Sequence, residues 1–189
     1  MLEYMNTNIN HKKKYLKYKK KYITLKNKLK LQAGGIRNDG IFTLTSPDFK
    51  NMEYIPKKYA YNAQYPPTLQ WVNPPKNTIS FALIMDDPDA PKKPYTHWMV
   101  WNMDDTVNRI ARNDYIEKSF VRGCNDTKTR TKLYAGPAPP KDKTHRYVFT
   151  LYALDTMLDV PHNIEKNYLI NKMNPHILGT AKLIGLFKS

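Results

Sequence analysis

The chain has a single cysteine, Cys124, among its 189 residues. An internal disulfide is therefore excluded, and such cysteine usage fits a reducing compartment. It also lacks any apolar run near the roughly 20 residues that a helix needs to span a bilayer. The N-terminus has no apolar stretch, which argues against a secretory signal. The expectation is a soluble intracellular protein. Acidic residues are scarce at one end. Residues 1–35 hold ten lysines against one acid, Glu3, for a local charge of +9. Residues 36–189 hold 21 basic and 15 acidic side chains, for +6. Most of the formal +15 thus belongs to a short appendage, and a nucleic-acid role for the whole chain loses force. No internal repeat is visible. The one sharp change of composition falls near Gly35, which divides a Lys/Tyr-rich leader, 1–35, from a globular domain, 36–189, long enough for one core.

Within the leader, Tyr15, Tyr18, Tyr22, Leu25 and Leu29 recur at alternating spacings of three and four, with lysines between them. That pattern predicts a basic amphipathic helix over 11–31, ended by Gly34 and Gly35. Such a helix has three possible partners: an anionic membrane, nucleic-acid phosphates or another helix. The plainer reading is a solvated, partly disordered segment, because ten lysines so close together mostly repel one another. The leader also resembles the Lys/Tyr/Leu-rich leaders ending in Gly-Gly on proteins of giant DNA viruses. That resemblance implies viral origin, packaging in a virion and cleavage near Gly35.

In the globular part, short apolar runs alternate with proline-rich breaks. Strands are predicted at 41–45, 68–72, 79–85, 97–102 and 146–154, the last three apolar on both faces and so central in a layered β-structure. Fourteen prolines, mostly between these runs, disfavour long helices. Near the C-terminus, 163–173 and 175–183 read as helices, with Asn174 as a cap before Pro175. The fold class expected is mostly β, a sandwich with one or two C-terminal helices.

Two segments carry chemistry. The first is Asp86-Asp87-Pro88-Asp89-Ala90-Pro91 with Thr96-His97-Trp98-Met99-Val100-Trp101-Asn102; the second is Gly136-Pro137-Ala138-Pro139-Pro140 leading into His145-Arg146-Tyr147. Strand alternation places His145, Tyr147, Phe149, Leu151 and Ala153 on one face. His97 opens its strand and Asp87 closes its own. An imidazole and a phenol above an apolar floor suit a small-molecule site, and an anion is the natural guest. Asp87 would hold an imidazole in its donating form, or accept from a ligand ammonium or phosphate O–H. A zwitterion such as phosphoethanolamine satisfies all of these groups. Taken alone, each residue has a plainer use. Asp89 suits a turn, a strand-end histidine is usually packed or solvent-facing, and Arg146, facing away from His145, suits an ion pair with an Asp such as Asp89.

These motifs together resemble the phosphatidylethanolamine-binding protein family, in the compact form of its bacterial and archaeal branch, with a looser match from about Phe42 to Phe187. The resemblance implies an antiparallel Greek-key β-sandwich with an anion pocket and C-terminal helices. It implies pocket residues Asp87, His97, His145 and Tyr147 with Pro140 at the rim, no cofactor, no metal, and ligands such as phosphate or phosphorylated head groups. Members of the family also regulate kinases, proteases or transcription complexes by binding them. The sequence departs from the pattern where a glycine is usual before His-Arg-Tyr; Lys141-Asp142-Lys143-Thr144 stands there instead. The 122–132 loop is also unusually basic. The competing reading is an enzyme, with His97, His145 and Asp87 holding a metal or activating water. No close His-x-x-x-His, Cys-x-x-Cys or Gly-x-Ser-x-Gly spacing supports it.

Overall fold

A computed structural model describes residues 40–189 apart from 62, 64, 92–93, 112–119 and 128–133. The leader, its predicted helix over 11–31 and the boundary near Gly35 lie outside these residues. Eight strands are described: β1 (Thr43–Thr45), β2 (Leu69–Val72), β3 (Ser80–Asp87), β4 (Tyr95–Asp104), β5 (Arg109–Ile110), β6 (Val121–Arg122), β7 (Thr144–Leu154) and β8 (Ile177–Lys188). One α-helix, α1 (Lys166–Met173), precedes β8. All strand pairings are antiparallel, in a three-stranded sheet β1-β2-β5 and a five-stranded sheet β6-β4-β3-β7-β8. The fold is mostly β, as composition and periodicity predict.

The larger sheet is buried on both faces at its centre. Phe81, Leu83 and Met85 of β3 pack with Leu69 and Trp71 of β2 and Ile110 of β5 in one core. Their chain neighbours Ala82 and Ile84 join Met99 and Trp101 of β4 on the opposite face, against Leu169 and Met173 of α1. Each such side chain contributes about 2 kcal/mol by leaving water, so the two cores dominate stability. Among the described residues no helix is long and apolar enough to cross a membrane.

Three expectations change. Residues 175–183 are not a helix. Asn174–His176 is a 3-10 turn and β8 follows, paired with β7 along nearly its whole length. Ala181, Leu183, Gly185 and Phe187 are buried at spacings of two, a strand period, and Gly179 and Gly185 disfavour helix. Asn174 closes α1 rather than opening a second helix. The first helix begins at Lys166, three residues after the predicted start, following Glu165 in extended conformation. β7 is not apolar on both faces: burial alternates along it, so its second face is only partly covered.

Candidate functional site

Asp87 ends β3 and His145 lies near the start of the adjacent strand β7, so antiparallel pairing brings them together. His145 Nδ1–H donates to Asp87 Oδ2 at 2.7 Å, with both side chains more than nine-tenths buried. The other carboxylate oxygen accepts from the Asp89 backbone N–H at 2.9 Å, the turn bond that Asp-Pro-Asp favours. Tyr147, two residues beyond His145, stands on the same face. Asp86 projects to the other face, where its Oδ1 accepts from Thr96 Oγ1 and Lys166 Nζ. Of the two adjacent carboxylates, the structure therefore gives one to the site.

His97 reaches this group by a different route. Met85 pairs with Trp98 but Asp86 pairs with Thr96, so His97 is an extra residue in a β-bulge. Simple alternation would set His97 beside Met99 and Trp101, facing α1. The bulge instead turns it to the face of Tyr147, as bulges commonly re-aim side chains. The His97 ring meets the Tyr147 ring edge-on, with centroids 5.2 Å apart, and the Tyr95 ring at 4.9 Å. His97 Nδ1 lies 2.9 Å from the Ala135 carbonyl, which can only accept, so the proton sits on Nδ1 and Nε2 is left to the site. Ala135 N–H returns a bond to the His97 carbonyl at 3.1 Å. Burial pushes the His97 imidazole below its ordinary value; the Ala135 carbonyl and the charges of Asp87, Asp86 and Asp126 oppose that shift.

The Tyr147 hydroxyl is the poorly bonded group in this network. Tyr147 is fully buried, and among the described residues its oxygen has no hydrogen bond of good geometry. Burial, then the charge of Asp87, raises its phenol well above the ordinary value; a backbone hydrogen bond from Ala138 draws it down and a side-chain hydrogen bond to Asp87 raises it again, both strained in geometry. A buried polar atom left without a partner costs about 1–3 kcal/mol.

The remaining predicted residues frame the site. Arg146 forms a two-pronged pair with Asp89, Nη2 to Oδ1 at 2.6 Å and Nε to Oδ2 at 3.0 Å, and its N–H also bonds Oδ2 at 2.8 Å. These bonds hold the Asp89 carboxyl down at about 2. Pro140 is exposed, and its carbonyl accepts from Lys143 N–H within the turn and from Ser189 Oγ just past the end of β8. Asp142 takes the left-handed conformation, φ 60°, in that turn. It fills the backbone role for which a glycine would be favoured, one that Asp tolerates better than most residues. Sequence reasoning missed Tyr95, Ala135, Ala138 and Asp126. Tyr95, two residues before His97, was the one with a readable signal. Among the described residues no group of three His, Cys, Asp or Glu side chains is placed to share a metal ion.

The family model described as phosphatidylethanolamine-binding protein matches residues 45–188. A UPF0098 protein of Methanothermobacter thermautotrophicus is 39% identical over 145 residues, covering 74% of this chain and 94% of its own. One from Chlamydia pneumoniae is 38% identical over 151 residues, covering 77% and 97%. Among solved structures, a phosphatidylethanolamine-binding protein homologue of Chlamydia trachomatis superposes with a TM-score of 0.71 at 33% identity, over 78% of this chain and 97% of that one. YbcL of Escherichia coli, described as a member of the mammalian family, gives 0.72 at 28% identity, over 79% and 99%. The chain belongs to the phosphatidylethanolamine-binding protein family, with bacterial and archaeal UPF0098 proteins among its relatives.

Proposed function

We propose that this chain is a non-catalytic binding protein, a Greek-key β-sandwich whose small pocket takes phosphate or a phosphoethanolamine-type head group. Its role would be regulatory or scaffolding, exerted by occupying a protein partner. The observation that carries this reading is the fully buried Tyr147 hydroxyl, without a well-formed hydrogen bond among the described residues, in the ring cluster of His97 and near the Asp87–His145 pair. A phosphate oxygen there would accept from the phenol and from protonated imidazole, and would give the hydroxyl a well-formed bond. Asp87 and Asp126 would favour a ligand that also carries an ammonium or a phosphate O–H. The hydrolytic alternative would use the same residues, because Nδ1–H donation leaves Nε2 of each imidazole with a lone pair for a water or a metal. Contact of the leader with an anionic membrane or nucleic acid is compatible with this reading and separate from it.

Calorimetric titration with inorganic phosphate tests the proposal through Tyr147→Phe. Removing a poorly bonded buried hydroxyl should raise the stability of the free protein by about 1 kcal/mol. Removing a donor to an anion should weaken phosphate binding by about tenfold or more. Opposite signs in the two measurements are the signature. Unchanged affinity in Tyr147→Phe would sink the assignment.

A second expectation concerns pH. His97 lies below its ordinary value in the free protein because of burial. A bound anion would favour the imidazolium, so the value rises in the complex. Binding should then take up a proton, and affinity should increase as pH falls from 8 until it levels off below the free-protein value. Sulfate, which keeps its charge throughout, is the ligand for this measurement. A flat sulfate affinity between pH 8 and 5 would remove His97 from the site.

A further inference from the structure

Thr96 and Asp86 are the chain neighbours of the site residues His97 and Asp87, and both face away from the site. Thr96 Oγ1 donates to Asp86 Oδ1 at 3.0 Å, and Lys166 Nζ donates to the same oxygen at 2.9 Å. Thr96 is 1% exposed, while the Asp86 and Lys166 side chains are partly covered. The Thr96 backbone is held as well: its N–H donates to Asp126 Oδ2 at 2.8 Å, and its carbonyl accepts from Asp126 N–H at 2.9 Å. Lys166 is the first residue of α1. A cation there works against the helix dipole, so the helix itself does not favour it; Asp86 does.

We propose that Thr96, Asp86 and Lys166 form a clamp that locks the bulge and thereby holds His97 in the site. The reason lies in register. Without the bulge, His97 would face α1 and Thr96 would face the core, because a one-residue slip exchanges the two faces of a strand. The Thr96–Asp86 bond exists only in the bulged register. Lys166 compensates the Asp86 charge and ties that carboxylate to the helix, so its oxygen stays aimed at Thr96. These are positioning residues: they act on the ligand only through His97. The clamp stands on the bulge geometry, and its consequence for affinity rests on the anion-pocket reading.

The test uses the full chain with Lys166→Met, Thr96→Val and the conservative Lys166→Arg. Two quantities are read: the NMR cross-relaxation between the His97 and Tyr147 rings, and the sulfate dissociation constant. In Lys166→Met and Thr96→Val the ring signal should weaken and the dissociation constant should rise about fivefold. Lys166→Arg should restore both, since it keeps the charge and a donor. Native ring signals and affinity in both disruptive variants would overturn the clamp, and failure of Arg to rescue would overturn the part given to Lys166. If one variant does not fold, the other carries the test. Loss of folding in both would also overturn the proposal, because the three residues would then be core structure. If the native protein binds no sulfate but the ring signal still falls in the variants, the clamp stands and the anion-pocket reading falls.

Discussion

Asp87→Ala is expected to cost about 3 kcal/mol of stability, because it strips a buried imidazole of its partner and leaves the Asp89 N–H without its acceptor. That is a large share of the roughly 5–15 kcal/mol that holds a domain together. Asp87→Asn keeps an acceptor oxygen and should recover a good part of the loss. The two variants should nevertheless agree in anion affinity. A carboxylate about 5 Å from a bound anion repels it by about 3 kcal/mol at an effective dielectric constant of 20. In both variants the charged acceptor that holds the His145 ring toward the anion is gone, and losing that hold forfeits more than the repulsion it removes. Phosphate binding should weaken by about tenfold or more in both variants. Simple charge counting says the opposite. Tighter phosphate binding by Asp87→Asn, measured by calorimetry at constant pH, would show that Asp87 merely repels the ligand.

The second large effect is expected at Gly136. A methyl group there would lie 2.7 Å from the Tyr59 carbonyl oxygen and 2.8 and 3.0 Å from the carbonyl carbon and Cα of Ala60. All three are backbone atoms, so no rotamer change relieves the contact. The seam around it is held by Tyr61 N–H to the Pro137 carbonyl at 2.9 Å and by Tyr134 Oη donating to the Tyr59 carbonyl at 2.8 Å. Forcing it apart should cost about 2–3 kcal/mol in Gly136→Ala. The functional cost follows from the next residue, since Ala135 bonds His97 through both its carbonyl and its N–H. Chemical denaturation should show the lost stability, and the His97 Nδ1–H resonance should exchange faster with solvent. A variant with native stability and native exchange would mean that the seam yields freely and that glycine is not needed for close approach.

Much of the candidate site was legible because it depends on local rules. Alternation with period two puts His145 and Tyr147 on one face of their strand, and the proline turns mark where strands end, at Asp87 among them. The Asp-Pro-Asp turn and the partnership of Asp89 with Arg146 follow from the same local chemistry. The five strands read from apolar runs are all present, with ends moved by a few residues. β5 and β6, of two residues each, are too short to leave a pattern.

The rest was decided by tertiary structure. Residues 175–183 carry enough apolar side chains for a helix; Gly179 weakens one, and the neighbouring edge of β7 makes them a strand by offering backbone bonds that a helix would satisfy internally. His97 is the sharper case. Its sequence parity assigns it to the α1 face, and a bulge set by non-local pairing moves it to the other. No local propensity encodes that bulge; it depends on how Asp86 meets Thr96 across the sheet and on Lys166 from a helix 70 residues further along the chain. The poor bonding of the Tyr147 hydroxyl likewise depends on how Asp87 and Ala138, from other segments, are placed around it. The sequence by itself determined the strands, the shared face of His145 and Tyr147, the strand-end place of Asp87 and the family resemblance, because these follow from short-range periodicity and motif. The fourth site residue and the poorly bonded hydroxyl were settled only when distant segments packed, because register and hydrogen-bond satisfaction are properties of pairs.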